Sequence, residues 1–387
     1  MEFEKYCKLN MENLKICKKC IQPNTRPSIF FNDQSICGAC LWEEEKKKID
    51  WDVRRRELDS IVTTAKSSNG IFDCVIGVSG GKDSTKQAIV ARDQLGLNCL
   101  LVNYQPENIT DIGRKNLENL KSLGFNLISI RPNPKIMKKL IKYDFFNHLN
   151  FVKASEFPLY ASTYIIAEKF NVPLIIQGEN PSLTMGTSLT QVGKGSDALK
   201  AYQLQTLSNG IDEYLGIDGI NENDLYFFQY DVKKLLEKNV IGIWLQYYLK
   251  DWSSFGNAEF AKKYGFQDRQ NVNPLEIGTY VSYNAVDSDF VHLNQMLKFI
   301  KFGFGQCMDH ACYDLRDGLI DRKTAIDLVL KYDGKCDEKY IDEFCNYIEI
   351  PKDEFWNTVN KFRGQTWYKE NEEYHNYVHE ELKKVLI

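Results

Sequence analysis

Cys74-Val75-Ile76-Gly77-Val78-Ser79-Gly80-Gly81-Lys82-Asp83-Ser84 is the stretch from which the fold can be read. Its first half is apolar and predicts a buried strand, Asp73–Val78. The glycine pair predicts a turn, and Thr85 to Gly96 a helix. Glycines let the backbone approach a ligand closely. The free N–H groups of the first helical turn, together with the helix dipole, favour an anion there. Lys82 and the hydroxyls of Ser79 and Ser84 add donors, so the loop reads as a phosphate cradle. It is not a Walker A loop, which needs G-x-x-x-x-G-K-[ST]: Ile76 stands where the first glycine should be, and Asp83 follows Lys82.

Outward from this loop, short apolar runs alternate with helical segments. Strands are expected at Asn98–Tyr104, Asn126–Ile130, Val172–Gln177 and Val240–Leu249. Helices are expected at about Asp111–Leu123, Asn133–Asn147 and Glu156–Phe170. This rhythm predicts an α/β fold, a doubly wound parallel sheet with helices on both faces. Ligands of such sheets bind beyond the carboxyl ends of the strands. That rule selects Ser79–Ser84, Asn103–Glu107 and Gln177–Asn180 as site loops. Asp83 is placed either to ligate Mg²⁺, which takes one or two carboxylates plus phosphate oxygens, or to cap the helix N-terminus. Val102, Asn103 and Tyr104 end the second strand, where adenine would meet the sheet. Gln177 and Gly178 close the site from the fourth strand, and Glu179 is either a second magnesium or substrate ligand or a surface turn carboxylate.

The chain has 387 residues, enough for two or three domains and a sizeable core. A net charge of −4 argues against a large nucleic-acid footprint. Tyr and Phe number 21 and 22, and most are expected in the core. There is no basic, then apolar, leader-like start and no apolar run of about 18 residues, so a soluble cytoplasmic protein is expected. Eleven cysteines in such a chain are not expected to form disulfides. Cys7, Cys74, Cys99, Cys307, Cys312, Cys336 and Cys345 are expected to be core thiols. Cys17-x₂-Cys20 and Cys37-x₂-Cys40, sixteen residues apart, have the spacing of a closed Cys₄ zinc site, with an iron–sulfur cluster as the alternative.

These signals divide the chain into a zinc-ribbon segment (1–50), a helical linker (51–70), a nucleotide-binding domain (71–252) and a helical C-terminal region for substrate or partner (253–387). Glu43 to Lys66 reads as one charged helical stretch. Residues 181–224, rich in Gly, Ser, Thr and Asn, read as a long insertion at the site edge, a lid or substrate loop. Helices are expected beyond Trp252, interrupted at Phe302-Gly303-Phe304-Gly305-Gln306. His292 and His310 flank that break and are the histidines to watch. No cysteine lies between Cys99 and Cys307, so the loops of the middle domain offer no sulfur nucleophile.

Ser79-Gly80-Gly81-Lys82-Asp83-Ser84 resembles the PP-loop of ATP pyrophosphatases, which cleave ATP between the α and β phosphates and transfer AMP to a substrate oxygen. With the cysteine pairs, Thr25-Arg26-Pro27, Ile112-Gly113-Arg114, Gln177-Gly178-Glu179, Gly278-Thr279-Tyr280, Lys301-Phe302-Gly303-Phe304-Gly305 and Leu315-Arg316-Asp317-Gly318, the chain resembles the N-acetyl sugar amidotransferases. It is also similar to tRNA-thiolating enzymes, the alternative reading. The resemblance implies ATP, Mg²⁺ and structural Zn²⁺. It implies an acetamido sugar, of nonulosonic (pseudaminic or legionaminic) or nucleotide-linked diacetamido type, converted to an acetamidino sugar with release of AMP and pyrophosphate. It implies a place in flagellin glycosylation or lipopolysaccharide biosynthesis. It also implies a separate glutaminase, with a cyclase-like subunit to channel ammonia, and neither membrane nor nucleic acid as partner. Lys82, Asp83 and Glu179 are the residues expected to carry catalysis.

Overall fold

A computed structural model describes residues 13–68, 70–187, 196–204, 207 and 210–385. Cys7 and parts of the 181–224 insertion lie outside these residues. At the centre is a five-stranded sheet of β1 (Cys74–Gly77), β2 (Cys99–Tyr104), β3 (Asn126–Ile130), β4 (Leu174–Gln177) and β5 (Ile241–Trp244). The spatial order is β3-β2-β1-β4-β5 and every pairing is parallel. The order reverses between β1 and β4. The loops leaving these two strands therefore flank the switch point at which doubly wound sheets bind ligands.

Strands β1, β2 and β4 read as nearly continuous apolar runs because both sheet faces are covered there, whereas the edge strand β3 is only partly buried. Successive side chains point to opposite faces. Cys74 and Ile76 of β1, Cys99 and Leu101 of β2 and Ile176 of β4 join one core with helices α2 (Trp51–Lys66), α3 (Lys82–Ile89) and α4 (Asp111–Ser122). Val75, Leu100, Val102 and Ile175 face the other way, against Tyr164 and Ala167.

The helix that follows β1 begins at Lys82, three residues before the expected Thr85, and passes into a π-helical turn at Val90–Gln94. Helices α5 (Pro134–His148) and α6 (Lys153–Phe170) lie where expected. The Glu43–Lys66 stretch is not one helix. Helix α1 (Gly38–Lys46) ends, and α2 begins afresh after Asp50, whose side chain accepts from the amides of Asp52 and Val53. The fifth strand is also shorter than expected: after Trp244 the chain tightens into a 3₁₀ turn, Leu245–Tyr248, and these four side chains are buried.

Beyond the sheet come α7 (Ser254–Lys262), α8 (Phe290–Phe302), α9 (Gln306–Arg316), α10 (Arg322–Tyr332), α11 (Glu338–Ile348) and α12 (Lys352–Lys361). A hairpin of Trp367–Glu370 and Glu373–Asn376, not anticipated, precedes α13 (Tyr377–Val385). Gly303 ends α8 at φ 78°, a left-handed conformation that favours glycine. A Cβ on Gly305 would lie 2.7 Å from Asp333 Oδ1. Asp333 occupies that space because its carboxylate accepts from the amides of Gly305 (2.7 Å), Cys307 (2.9 Å) and Met308 (3.3 Å) at the start of α9. The Phe302–Gln306 break is thus a tight corner between two helices, held by one buried acid.

The cysteine-rich segment does not stand alone. Cys17, Cys20, Ile21, Cys37 and Cys40 share a hydrophobic cluster with Phe304, Met308 and Ala311 and with α10 and α13. The guanidinium of Arg322 donates to the carbonyls of Cys17 (3.0 Å), Lys18 (3.2 Å) and Cys20. Among the described residues no helix is long and apolar enough to cross a membrane.

Candidate active site

The phosphate loop is built by β1 and α3. Gly80 has φ 79°, and a Cβ there would meet Asn116 Cβ at 3.1 Å. Gly81 is the N-cap of α3 and provides no side-chain cap. The first bond of the turn runs from Thr85 N–H to Gly81 O at 3.0 Å, so helix geometry leaves the amides of Lys82, Asp83 and Ser84 without an intrahelical acceptor. Ser84 Oγ donates to Gly81 O, and Ser79 Oγ accepts from the Gly81 amide, which shapes the loop. This donor set fits a phosphate.

Asp83 does not act as a capping side chain. Its carboxylate accepts from Asn257 Nδ2 of α7 at 2.7 Å and pairs with Lys82 Nζ at 2.7 Å. Lys82 and Asp83 border a cavity of about 240 Å³, with Glu179 from the β4 loop facing them. Glu179 is half-buried, not a surface turn residue. Burial, and then repulsion from Asp83, raise its pKa to about 7, against the pull of Lys82. Two carboxylates close enough to repel are a donor set that suits a divalent cation.

The remaining expected residues are less exposed to the cavity. Val102 belongs to the core beneath the sheet and Tyr104 to the core around α5 and α6. Asn103 ties the strand ends together, donating to Val78 O at 2.8 Å and Tyr104 O at 3.1 Å. Among the described residues, its Oδ1 and Gln177 Nε2 have no hydrogen-bond partner. Gly178 lies against Trp252, 3.4 Å from where a Cβ would stand. Thus the structure brings Lys82, Asp83 and Glu179 together on one cavity, while Val102 and Tyr104 are core side chains at the end of β2.

The opposite wall was not anticipated. Gln306, Asp309, His310, Tyr313, Arg316 and Asp317 all border the cavity. They recur three or four residues apart, one face of α9 and its end. A polar stripe on an otherwise buried helix was the available signal. Its members are held by other side chains. Asp309 pairs with Lys298 at 2.7 Å and with Arg26 from the cysteine-rich segment. Burial opposes ionisation of Asp309, but those two cations hold its pKa below the usual carboxylate value. The Arg26 guanidinium also lies 4.7 Å from the Phe304 ring. His310 Nδ1 lies 2.7 Å from Thr279 Oγ1, and burial lowers its pKa to about 3, keeping the ring neutral. Of the two histidines to watch, His310 borders the cavity; His292 is fully buried beside Gln306. Glu43, just past the last cysteine of the knuckles, completes this side.

Cys17, Cys20, Cys37 and Cys40 are buried with their sulfurs all within 4.8 Å of one another. Two separations are 3.9 Å (Cys17 to Cys40) and 3.6 Å (Cys20 to Cys37). Tetrahedral zinc with Zn–S bonds of about 2.3 Å sets its sulfurs roughly 3.8 Å apart, so the quartet fits zinc. Cys74, Cys99, Cys307, Cys312 and Cys345 are buried, as expected of core thiols, and Cys336 is half-buried.

Residues 277–383 match the family model for the LPS biosynthesis protein WbpG-like, C-terminal domain. The similarity covers this C-terminal stretch alone. Several blocks behind the resemblance to N-acetyl sugar amidotransferases, Gly278–Tyr280, Lys301–Gly305 and Leu315–Gly318, lie inside it, and the recognition drawn from them holds. The whole of the α9 face lies within the matched residues. No curated protein sequence matches the chain. Two solved structures are similar at 18% identity and a TM-score of 0.28 each. One is an NH3-dependent NAD synthetase from Campylobacter jejuni subsp. jejuni NCTC 11168 in complex with the nitrate ion, covering 49% of this chain and 95% of that one. The other is an NMN synthetase from Francisella tularensis, covering 58% of this chain and 100% of that one. At that TM-score neither carries an argument; the strand order and the phosphate loop carry the fold.

Proposed function

We propose that this protein is an ATP-dependent amidotransferase that converts the acetamido group of a bacterial surface sugar into an acetamidino group. One observation carries the reading: the phosphate loop and the α9 face of a domain matching an LPS biosynthesis family border the same cavity. Any group bound by that domain would lie within reach of the phosphate loop.

In this reading the amides and hydroxyls of Ser79–Ser84, with Lys82, hold the pyrophosphate portion of ATP. The end of β2 and Gln177-Gly178 receive the adenine side. Asp83 and Glu179 would hold Mg²⁺, which when bound neutralises phosphate charge. The acetamido oxygen attacks the α phosphorus, pyrophosphate leaves and the amide N–H proton is lost, giving an adenylated imidate. Ammonia then attacks the imidate carbon, a C–N bond forms, the C–O bond to AMP breaks, and the amidine is left protonated. Among the described residues no cysteine borders the cavity, which favours nitrogen over sulfur as nucleophile and counts against the tRNA-thiolating alternative. Zinc at the cysteine quartet would be structural. The reading keeps the fourfold division at residues 50, 70 and 252, a cytoplasmic location where ATP is available, and a separate glutaminase with a channelling subunit as ammonia source.

The test is to supply ATP, Mg²⁺ and ammonium with acetamido sugars of the nonulosonic and nucleotide-linked classes, and to follow AMP, pyrophosphate and product mass. A product lighter by the difference between O and NH is expected. ADP instead of AMP, or turnover that needs tRNA and a sulfur donor, overturns the proposal.

A further inference from the structure

A second cavity, of about 450 Å³, lies among the residues that follow α7 and is bordered by Asp268, Ile277, Thr279 and Ser282. It backs directly onto the first. Thr279 borders the second cavity and lies 2.7 Å from the ring of His310, which borders the first. Ile277 also borders the second, and its carbonyl accepts from Gln306 Nε2 on the wall of the first. One side-chain pair and one side chain on a backbone carbonyl therefore make a wall one layer thick.

That wall has unused hydrogen-bonding capacity. Gln306 is 4% exposed and His292 is fully buried. Among the described residues Gln306 Oε1 has no partner, and Gln306 Nε2 lies 3.0 Å from Nδ1 of His292, which packs behind the wall and borders neither cavity. Polar atoms so placed suit a guest the size of water with several hydrogen bonds to make. The second cavity itself is polar: Asp268 accepts from Ser282 Oγ at 3.0 Å and pairs with Lys262 at 3.2 Å.

The geometry points to the second cavity as the inlet for the nitrogen nucleophile, ammonia, which passes the Thr279–His310 and Ile277–Gln306 wall into the cavity where the imidate is formed. This inference rests on the amidotransferase reading above. Ammonia is the size of a water molecule and carries three N–H donors and one lone pair. It is matched by hydroxyl, imidazole and carboxamide groups, and the wall provides all three. Approach from behind the wall spares the nucleophile the route past ATP and the sugar. In the step it feeds, nitrogen bonds to the imidate carbon, the AMP oxygen leaves with its electron pair, and one ammonia proton moves to the sugar-bound nitrogen.

Ser282→Trp fills the second cavity without touching the first, and Val272→Phe fills it from another side. Both are to be made in the full chain, with folding checked by melting temperature. Initial rates of amidine formation against ammonium chloride at mildly alkaline pH give KM for ammonia. Acceptor-dependent AMP release is measured in parallel. We expect KM for ammonia to rise about tenfold, with AMP release unchanged and more AMP released per amidine formed as the imidate is lost to water. Thr279→Val, which exchanges the hydroxyl for a methyl of similar size, should raise KM less. An unchanged KM for ammonia in the folded filling variants overturns the inlet alone. A wild-type enzyme that forms no AMP with any acetamido sugar overturns the reaction, and the inlet with it.

Discussion

The two walls of the cavity are held in place by different means. On the sheet side, Lys82 and Asp83 stand on the first turn of α3, whose position follows from the backbone: β1, a left-handed Gly80 and a helix N-terminus. Side-chain support there is local, from Ser79, Lys82 and Ser84, with Asn257 on Asp83 as the contact from outside the loop. On the α9 side, support is almost wholly side chain and buried. Asp333 ties down the start of the helix, Arg26 and Lys298 converge on Asp309, and Thr279 meets His310. A wall made by backbone geometry can lose a side chain and keep its shape. A wall made by buried charges loses stability and function together.

Three substitutions put that contrast to the test. The largest effect is expected from Asp83→Ala. AMP formation should fall by at least ~10³-fold, the scale seen when a group stabilising transferred charge is removed, while melting temperature and zinc content stay near wild type. A large loss of stability in this variant would erase the distinction between the walls. Next is Arg26→Ala, which leaves Asp309 with Lys298 alone. It should cost about 3 kcal/mol of unfolding free energy in denaturant titration, the low end for a broken buried pair. A stable Arg26→Ala protein would mean that the ion pair does not hold α9.

The smallest effect concerns pH. Burial holds His292 neutral, its pKa lowered to about 3. The folded pKa is depressed below the unfolded value, so the unfolded chain binds the proton first. The stability contributed is present above about pH 6.5 and is lost as pH falls toward the folded pKa. Relative to His292→Phe, wild type should lose roughly 2–3 kcal/mol between about pH 7 and pH 4.5. Parallel pH profiles for the two proteins would show that His292 is not buried as a neutral group.

The sheet side was legible because its signals are local. Cys74–Ser84 contains strand, turn, donors and acid in one contiguous run, and the alternation of apolar runs located the other strands within one or two residues, except at β5. There Leu245, Tyr247 and Tyr248 continue the apolar run because they are buried in a 3₁₀ turn, and burial without periodicity does not distinguish a turn from a strand. The break at residues 47–50 was hidden because a charged stretch hides a cap such as Asp50. The α9 side was legible only as fragments. Arg26, Lys298 and Asp309 are far apart in the chain and meet through tertiary packing alone. His310 was noticed for its neighbourhood, but Gln306 and Arg316 carry no local signature of a site. The cysteine quartet shows both cases: its spacing announced a metal knot, and nothing in that spacing announced that it packs on α9 and α10.

The bonds from Arg322 to the carbonyls of Cys17, Lys18 and Cys20 span 302 to 305 residues of sequence. They turn a linear chain into a closed ring, and they have a consequence for biosynthesis. A ribosome releases the sheet before residues 306–326, so the loop after β1 can form once β4 and β5 have emerged. The cysteine segment, made before the sheet, has to wait for residues 306–326 before it can bury its apolar side. Contacts of such long range delay folding because the loop must close before they contribute. Between the emergence of β5 and that of residues 306–326 the nascent protein therefore carries an assembled sheet beside four unburied thiols, and the candidate cavity is complete only once α9 has joined it.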